Sequence, residues 1–223
     1  MKKEQLEVFL ENFGQKYSEM LSIDLSDGKG SEIFKWFLAA VLFGAPIQES
    51  SVIRTYKCFE KHNVLTPKRI LETGWDGLVK ILDEGNYTRY DFKTADKLLE
   101  VMKNLVEKYD GSLTLLHSKA FDKWDLEKRI KKLGKGIGDV TVSIFLRELR
   151  DIWNKADPNL TSLVILAAKK LGITRADSPE NALKQLKNFW SKNKVKGKSF
   201  INFETALLRL GKDYRRKDKS AFH

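Results

Sequence analysis

The residues with the clearest potential for chemistry lie in the segment 129–157, RIKKLGKGIGDVTVSIFLRELRDIWNKAD. A glycine-rich turn, Gly134-Lys135-Gly136-Ile137-Gly138, separates two predicted helices there. Glycines at the start of a helix leave backbone N–H groups unobstructed, and these groups bind phosphate together with the helix dipole. The alternative is an ordinary turn between two antiparallel helices, because a Gly-x-Gly pattern alone has little specificity.

One carboxylate follows this turn after a further predicted helix. Asp157 stands directly before Pro158 and the apolar run 160–166. A positioned carboxylate can stabilise positive charge that develops on a substrate, or it can orient and deprotonate an attacking water. An aspartate before an apolar helix is also a favourable N-cap, and both roles could hold at once.

Helices must position these residues, because apolar side chains recur mostly at helical spacing and no stretch alternates with period two for long. The helix over 31–43 is apolar around nearly its whole circumference, which is typical of a buried central helix. Helices are also predicted at 9–21, from 48 to 58, from Thr66, and over 74–82, 94–109, 123–133, 139–153, 160–171, 179–190 and 201–210. The sequence therefore predicts an all-α protein.

The amino-acid composition favours one class of partner and excludes several classes of protein. Lysine and arginine total 41 against 30 acidic residues, which gives a net charge of +11 and favours nucleic acid as a partner. A single cysteine, Cys58, excludes an internal disulfide and a four-cysteine metal or iron–sulfur site, and His62, His117 and His223 lie far apart. The longest apolar stretch, 37–43, is far shorter than the roughly 18 residues of a membrane span. We expect a soluble, intracellular protein of the cytoplasm or nucleoid, with no membrane association.

The glycine turn and Asp157 together resemble the helix-hairpin-helix DNA glycosylases, the superfamily of endonuclease III, the adenine-mismatch glycosylase and the alkylpurine glycosylases. Members have an apolar helix, a Gly-apolar-Gly hairpin, a second helix and then a catalytic aspartate. The segments 37–52, 84–90 and 201–215 are similar to the family's buried first barrel helix, minor-groove loop and closing helix.

The resemblance implies two all-α domains. A six-helix barrel would span residues 28–152 and contain the helix-hairpin-helix motif at 129–150. A second helical domain would combine residues 1–27 with 153–223 and carry Asp157. The partner would be double-stranded DNA with a damaged or mismatched base, bound by a monomer.

The resemblance also implies roles for particular residues. Asp157 would be the catalytic carboxylate. Phosphate contacts would come from the hairpin and its lysines, namely Lys132, Gly134, Lys135, Gly136 and Gly138, and a monovalent cation could share the backbone of Gly136 and Gly138. A flipped base would meet pocket or wedge residues drawn from Trp36, Gln48, Asn86, Tyr87, Tyr90 and Trp153. For the aromatic candidates, ordinary core packing is the alternative.

Two departures from the family pattern bear on mechanism. Bifunctional members carry a nucleophilic lysine two positions after the second hairpin glycine, where this chain has Val140, so a monofunctional glycosylase is expected. Many members end in a four-cysteine iron–sulfur cluster, whereas this chain ends in basic residues (Lys212, Arg215, Arg216, Lys217, Lys219), so no cluster and no other cofactor are expected.

The function implied is hydrolysis of the N-glycosidic bond of a damaged base to leave an abasic site, as in base-excision repair. An alkylated purine is the preferred substrate, with uracil, hypoxanthine or a mismatched base as further possibilities. Two alternatives stay open: a non-catalytic helix-hairpin-helix DNA-binding protein, and a bifunctional glycosylase/lyase that uses an unexpected amine such as Lys135.

Overall fold

A computed structural model describes the main chain of residues 2–220 and the side chains of residues 2–218; His223 and the side chain of Lys219 lie outside these ranges. Residues 2–220 contain α-helices and no β-strand, so the all-α prediction is confirmed. The helices are α1 Lys3–Phe13, α2 Tyr17–Met20, α3 Gly30–Phe43, α4 Glu49–Lys61, α5 Pro67–Glu84, α6 Asp91–Tyr109, α7 Leu113–Ser118, α8 Lys123–Lys131, α9 Asp139–Arg147, α10 Ser162–Lys170, α11 Pro179–Lys192 and α12 Phe200–Ser220. Within the described residues, no helix is both long and apolar enough to cross a bilayer.

The chain divides into two compact units. The central unit spans residues 21–158 and contains α3 to α9, and the terminal unit combines residues 1–20 with 159–223. The predicted boundary at 152/153 therefore differs from the observed one, and Asp157 belongs to the central unit. The reason is packing, because Trp153 is buried, stacks on His117 at 4.5 Å between ring centroids and meets Phe145 edge-on at 5.6 Å.

Helix α3 forms the core of the central unit. Its apolar side chains are buried on nearly every side, as the sequence predicted. Against α9, Phe37 packs edge-on to Phe145 at 5.0 Å, and Trp36 Nε1 donates a hydrogen bond to the Phe145 carbonyl at 3.0 Å. Burial of each such large apolar side chain contributes roughly 1.5–3 kcal/mol to stability.

Helices α5 and α6 pack against each other and carry the loop 85–90 between them. Helix α5 has Thr66 as its N-cap, whose side chain accepts from the Arg69 N–H at 3.2 Å, and Pro67 at its first position. The two helices predicted in this region form one helix in the structure, kinked at Gly74, where φ is 66°.

Helix α9 ends at Arg147, six residues before the end predicted from the sequence. The chain continues in tight turns, in which the N–H of Leu149 donates to the Leu146 carbonyl and that of Ile152 donates to the Leu149 carbonyl. These turns direct Trp153 into the core of the central unit.

The terminal unit is built around α12, which packs against α1 and α10. Asn202 Nδ2 donates to the Gly14 carbonyl at 2.8 Å, and Arg209 Nη1 donates to the Gln15 carbonyl at 2.6 Å. Gly211 lies so close to Leu163 that an added Cβ would stand 2.2 Å from its carbonyl oxygen. Close contact between α10 and α12 therefore requires glycine at this position.

Candidate functional site

The glycine turn is a tight hairpin between α8 and α9. Its two apolar residues, Leu133 and Ile137, are buried and anchor it to the central unit. Helix α9 begins directly after Gly138, whose backbone is extended (φ −103°, ψ −172°). The hairpin is therefore held from beneath by its apolar side chains, while Gly136 and Gly138 are exposed.

The backbone amides of the hairpin alternate between paired and available. The Lys135 N–H donates to Glu100 Oε2 at 3.0 Å, and the Ile137 N–H donates to the Gly134 carbonyl at 3.2 Å. Among the residues that the structure describes, the N–H groups of Gly136 and Gly138 have no acceptor. Two exposed donors at a helix N-terminus are what a phosphate group requires.

The three hairpin glycines differ in what surrounds them. Gly134 leaves room for α6, because an added Cβ would lie 2.7 Å from Val101 Cγ2. Gly136 has a φ of 87°, which only glycine adopts without strain, and an added Cβ would lie 2.9 Å from Lys97 Cε. At Gly138 an added Cβ would meet nothing within 4 Å, so that position faces open space.

Cationic side chains surround this surface. Lys132 and Lys135 are exposed, and Lys131 forms an ion pair with Asp139 at the start of α9. Val140 lies in the first turn of α9 with 61 % of its surface exposed. The position at which the family resemblance would put a nucleophilic lysine thus carries an exposed apolar side chain.

The hairpin carbonyl groups determine whether a cation would fit. The carbonyl of Leu133 accepts from Asn104 Nδ2 at 2.9 Å, that of Gly134 accepts from Ile137, and that of Gly138 accepts from the Val142 N–H at 3.1 Å. A carbonyl oxygen has two lone pairs, so a monovalent cation held here would share these oxygens with existing donors.

Asp157 is held by Arg150. Arg150 Nη1 forms an ion pair with Asp157 Oδ1, and Arg150 Nη2 donates to the Pro158 carbonyl at 2.6 Å. The Arg150 side chain is 5 % exposed, whereas that of Asp157 is 35 % exposed. A nearly buried guanidinium therefore fixes both the orientation of the carboxylate and the loop that carries it.

The N-cap role considered for Asp157 is not observed. Helix α10 begins at Ser162, and its N-cap is Thr161, whose side chain accepts from the Val164 N–H at 3.4 Å. Thr161 lies four residues after Asp157, so the loop between them separates the carboxylate from the start of the helix. Capping therefore does not account for Asp157.

Three of the predicted pocket or wedge residues lie in the core of the central unit. Trp36 and Tyr87 are fully buried, and Tyr87 Oη donates to the Leu42 carbonyl at 2.6 Å. Burial raises the pKa of the Tyr87 hydroxyl above its usual range. Trp153 is also buried, so in this structure all three side chains serve packing, which was the alternative for the aromatic residues.

The other three candidates lie nearer the surface. Gln48 is exposed and precedes α4 as its N-cap residue. Asn86 is exposed in the turn after α5, with a φ of 61°. Tyr90 is half-buried at the start of α6, and the Arg89 guanidinium lies 5.6 Å from its ring centroid.

Several residues that contact the candidate site were not predicted. Arg150 holds Asp157, and the α6 residues Lys97, Glu100 and Asn104 contact the hairpin. The spacing of the three α6 residues in the sequence indicates that they share one face of a helix. It does not indicate that this face contacts the hairpin.

Comparison with known proteins supports the fold. No family model and no curated protein matches the sequence. A solved structure does match, that of the H. pylori 3-methyladenine DNA glycosylase bound to 1,N6-ethenoadenine. It shares 14 % sequence identity, the match covers 83 % of this chain and 85 % of that one, and the TM-score is 0.53. This chain therefore shares the all-helical fold of that H. pylori structure.

Proposed function

We propose that this protein is a DNA glycosylase that removes a damaged base from duplex DNA and leaves an abasic site. The observation that carries the proposal is the hairpin, where the amides of Gly136 and Gly138 are exposed and have no acceptor within residues 2–220. The same unit of the chain contains Asp157, a partly exposed and firmly held carboxylate. The fold shared with a known DNA glycosylase supports the combination.

DNA binding would begin at the hairpin. The two glycine amides would bind a backbone phosphate, while the exposed Lys132 and Lys135 would add charge-assisted contacts. The net charge of +11 favours association with duplex DNA and makes the affinity fall steeply with salt. A monomer is sufficient for these contacts, because every group named belongs to one chain.

Base removal would depend on Asp157. The C1′–N bond to the flipped base breaks, and the sugar acquires the character of an oxocarbenium ion, as in glycoside hydrolysis. Asp157 would stabilise this positive charge and accept a proton from the attacking water, whose oxygen forms the new bond to C1′. The products are a free base and an abasic site, and no redox partner is needed.

We infer a monofunctional enzyme from Val140. A lyase reaction requires an amine that attacks C1′ and forms a Schiff base, and valine has no nucleophilic atom. Lys135 is the nearest lysine in the hairpin, and its exposed side chain suits a phosphate contact. Borohydride should therefore trap no covalent enzyme–DNA adduct.

Alkylated purines are the preferred substrates. Alkylation of N3 or N7 gives the purine a positive charge, so the base leaves as a neutral molecule and requires little further activation. The H. pylori glycosylase with this fold is named for 3-methyladenine and was crystallised with 1,N6-ethenoadenine, which supports the same class here.

The test is a strand-cleavage assay on end-labelled duplexes, each with one alkylated purine, uracil, hypoxanthine, 8-oxoguanine or mismatch. Each reaction is developed with and without hot alkali. We expect cleavage of an alkylpurine duplex only after alkali, because an abasic site is stable until then.

Two variants separate catalysis from binding. Asp157→Asn should abolish cleavage while duplex binding persists, whereas Asp151→Asn, which removes an exposed carboxylate from the same segment, should leave activity unchanged. Normal activity in Asp157→Asn would contradict the catalytic role of Asp157. No cleavage of any duplex by wild type despite tight binding would favour the non-catalytic DNA-binding alternative. Cleavage without alkali would indicate a lyase.

A further inference from the structure

One face of helix α6 contacts the hairpin from Leu133 to Gly136. Asn104 donates to the Leu133 carbonyl, Val101 packs against Gly134, Glu100 accepts from the Lys135 amide, and Lys97 lies against Gly136. These four residues stand at i+7, i+4, i+3 and i of the helix, so they form a single stripe. The hairpin joins α8 to α9, and α6 therefore contributes further side chains that contact it.

Lys97 is the member of this stripe whose charge has no ion-pair partner among the side chains that the structure describes. Its Cε lies 2.9 Å and its Nζ 3.6 Å from the position that a Cβ on Gly136 would occupy. The side chain is half-buried, and none of the ion pairs among the described side chains involves it. Burial alone lowers the pKa of its ammonium group. A partly desolvated cation without a carboxylate partner gains more from an arriving anion than an exposed lysine does.

Glu100 has the complementary role in this arrangement. Its carboxylate accepts from the Lys135 N–H at 3.0 Å, which orients the peptide between Gly134 and Lys135. The amide that Glu100 holds is thereby withdrawn from ligand binding, whereas the N–H groups of Gly136 and Gly138 have no acceptor among the described residues. Glu100 is thus a positioning residue for the hairpin.

We propose that Lys97 is a DNA-phosphate ligand contributed by α6, which neutralises the same phosphodiester that the amides of Gly136 and Gly138 bind. This inference rests on the proposed binding of DNA at the hairpin. It adds a charged contact from an element outside the helix-hairpin-helix motif. It does not depend on whether Asp157 catalyses base removal.

The experiment measures the binding of a fluorescein-labelled undamaged duplex by anisotropy over a series of KCl concentrations. Wild type is compared with Lys97→Gln, Lys97→Met and the control Lys103→Gln, which removes an exposed lysine from a different side of the same helix. We expect the slope of log K against log [KCl] to become shallower by about 1 in both Lys97 variants, since one phosphate contact is lost. Lys103→Gln should keep the wild-type slope.

Thermal unfolding followed by circular dichroism checks that each variant is folded, and two replacements of Lys97 ensure that one failed fold does not decide the outcome. An unchanged slope in a folded Lys97 variant would overturn the role of Lys97 while leaving DNA binding intact. If wild type binds no duplex at any salt concentration, the proposed function and this inference both fail. If wild type removes no base but both Lys97 variants show the shallower slope, the proposed catalysis fails and the role of Lys97 in phosphate binding stands.

Discussion

Arg150 and Asp157 form an ion pair in which the cation is nearly buried and the carboxylate is partly exposed. The same guanidinium binds the Pro158 carbonyl, so one side chain holds both the proposed catalytic group and its loop. Arginine suits this task because its planar fork makes two directed hydrogen bonds, which a lysine ammonium cannot reproduce. The orientation of Asp157 is consequently a property of the central unit.

Replacement of Arg150 should impair both catalysis and stability. In Arg150→Gln, the carboxylate loses its orienting partner, so the rate of base removal under single-turnover conditions should fall by at least about tenfold, while duplex affinity changes little. Stability should decrease by about 1–3 kcal/mol in urea unfolding, because buried hydrogen bonds are lost. Arg150→Lys should recover only part of the rate.

The control for this prediction is Arg54→Gln, which removes an exposed arginine from α4. It should leave both the rate and the unfolding free energy unchanged. A wild-type rate in Arg150→Gln would show that Asp157 needs no orientation by arginine.

Alanine substitutions at two hairpin glycines should differ in their effect on stability. Gly136→Ala should destabilise the protein by about 1–2 kcal/mol, because φ is 87° and the new Cβ would press on Lys97. Gly138→Ala should be neutral or slightly stabilising, since its φ is −103° and its surroundings are open. Chemical denaturation measures both.

The same pair of variants reports on DNA binding. The Cβ of Gly138→Ala would stand where a phosphate approaches, so we expect weaker duplex binding from a protein of normal stability. Wild-type affinity in this variant would place the phosphate elsewhere on the hairpin.

Tyr87 and Asn86 are neighbours in sequence and should behave differently. Tyr87→Phe removes the buried hydrogen bond to the Leu42 carbonyl, so stability should fall by roughly 0.5–1.5 kcal/mol while base removal continues at the wild-type rate. Asn86→Gly keeps the positive φ but deletes an exposed side chain, and base removal should slow if Asn86 fills the space left by the flipped base. A loss of activity in a stable Tyr87→Phe protein would contradict a purely structural role for Tyr87.

His117 should make stability depend on pH. Burial, and then the nearby Lys155, lower the pKa of His117 in the folded protein below its ordinary value of 6.5. Because the unfolded chain takes up a proton first as the pH falls, this contribution to stability is complete above about pH 6.5 and is lost as the pH falls through the folded-state pKa. Unfolding free energies measured from pH 8 to pH 5 should show this decline.

His117→Phe provides the comparison, since it retains an aromatic ring against Trp153 but cannot titrate. The unfolding free energy of this variant should therefore decline less between pH 6.5 and pH 5 than that of wild type. Identical pH profiles for the two proteins would exclude His117 as a source of the dependence.

The sequence by itself determined the features that depend on neighbouring residues. Helical periodicity established the all-α class, and the glycine spacing located the hairpin because backbone freedom is a local property. The sequence alone also shows that position 140 is valine instead of lysine and that the chain has a single cysteine.

The tertiary structure decided which distant residues meet. Two examples are the contact of Lys97 with Gly136 and the hydrogen bond from Tyr87 to the Leu42 carbonyl. Both join residues that are far apart in the chain, and no periodic pattern encodes which helix faces meet. Asp157 lies in the central unit because Trp153, shortly before it, is buried there and stacks on His117. Helix α9 ends before Trp153. Side-chain packing between elements, rather than local propensity, therefore determined the surroundings of the candidate site.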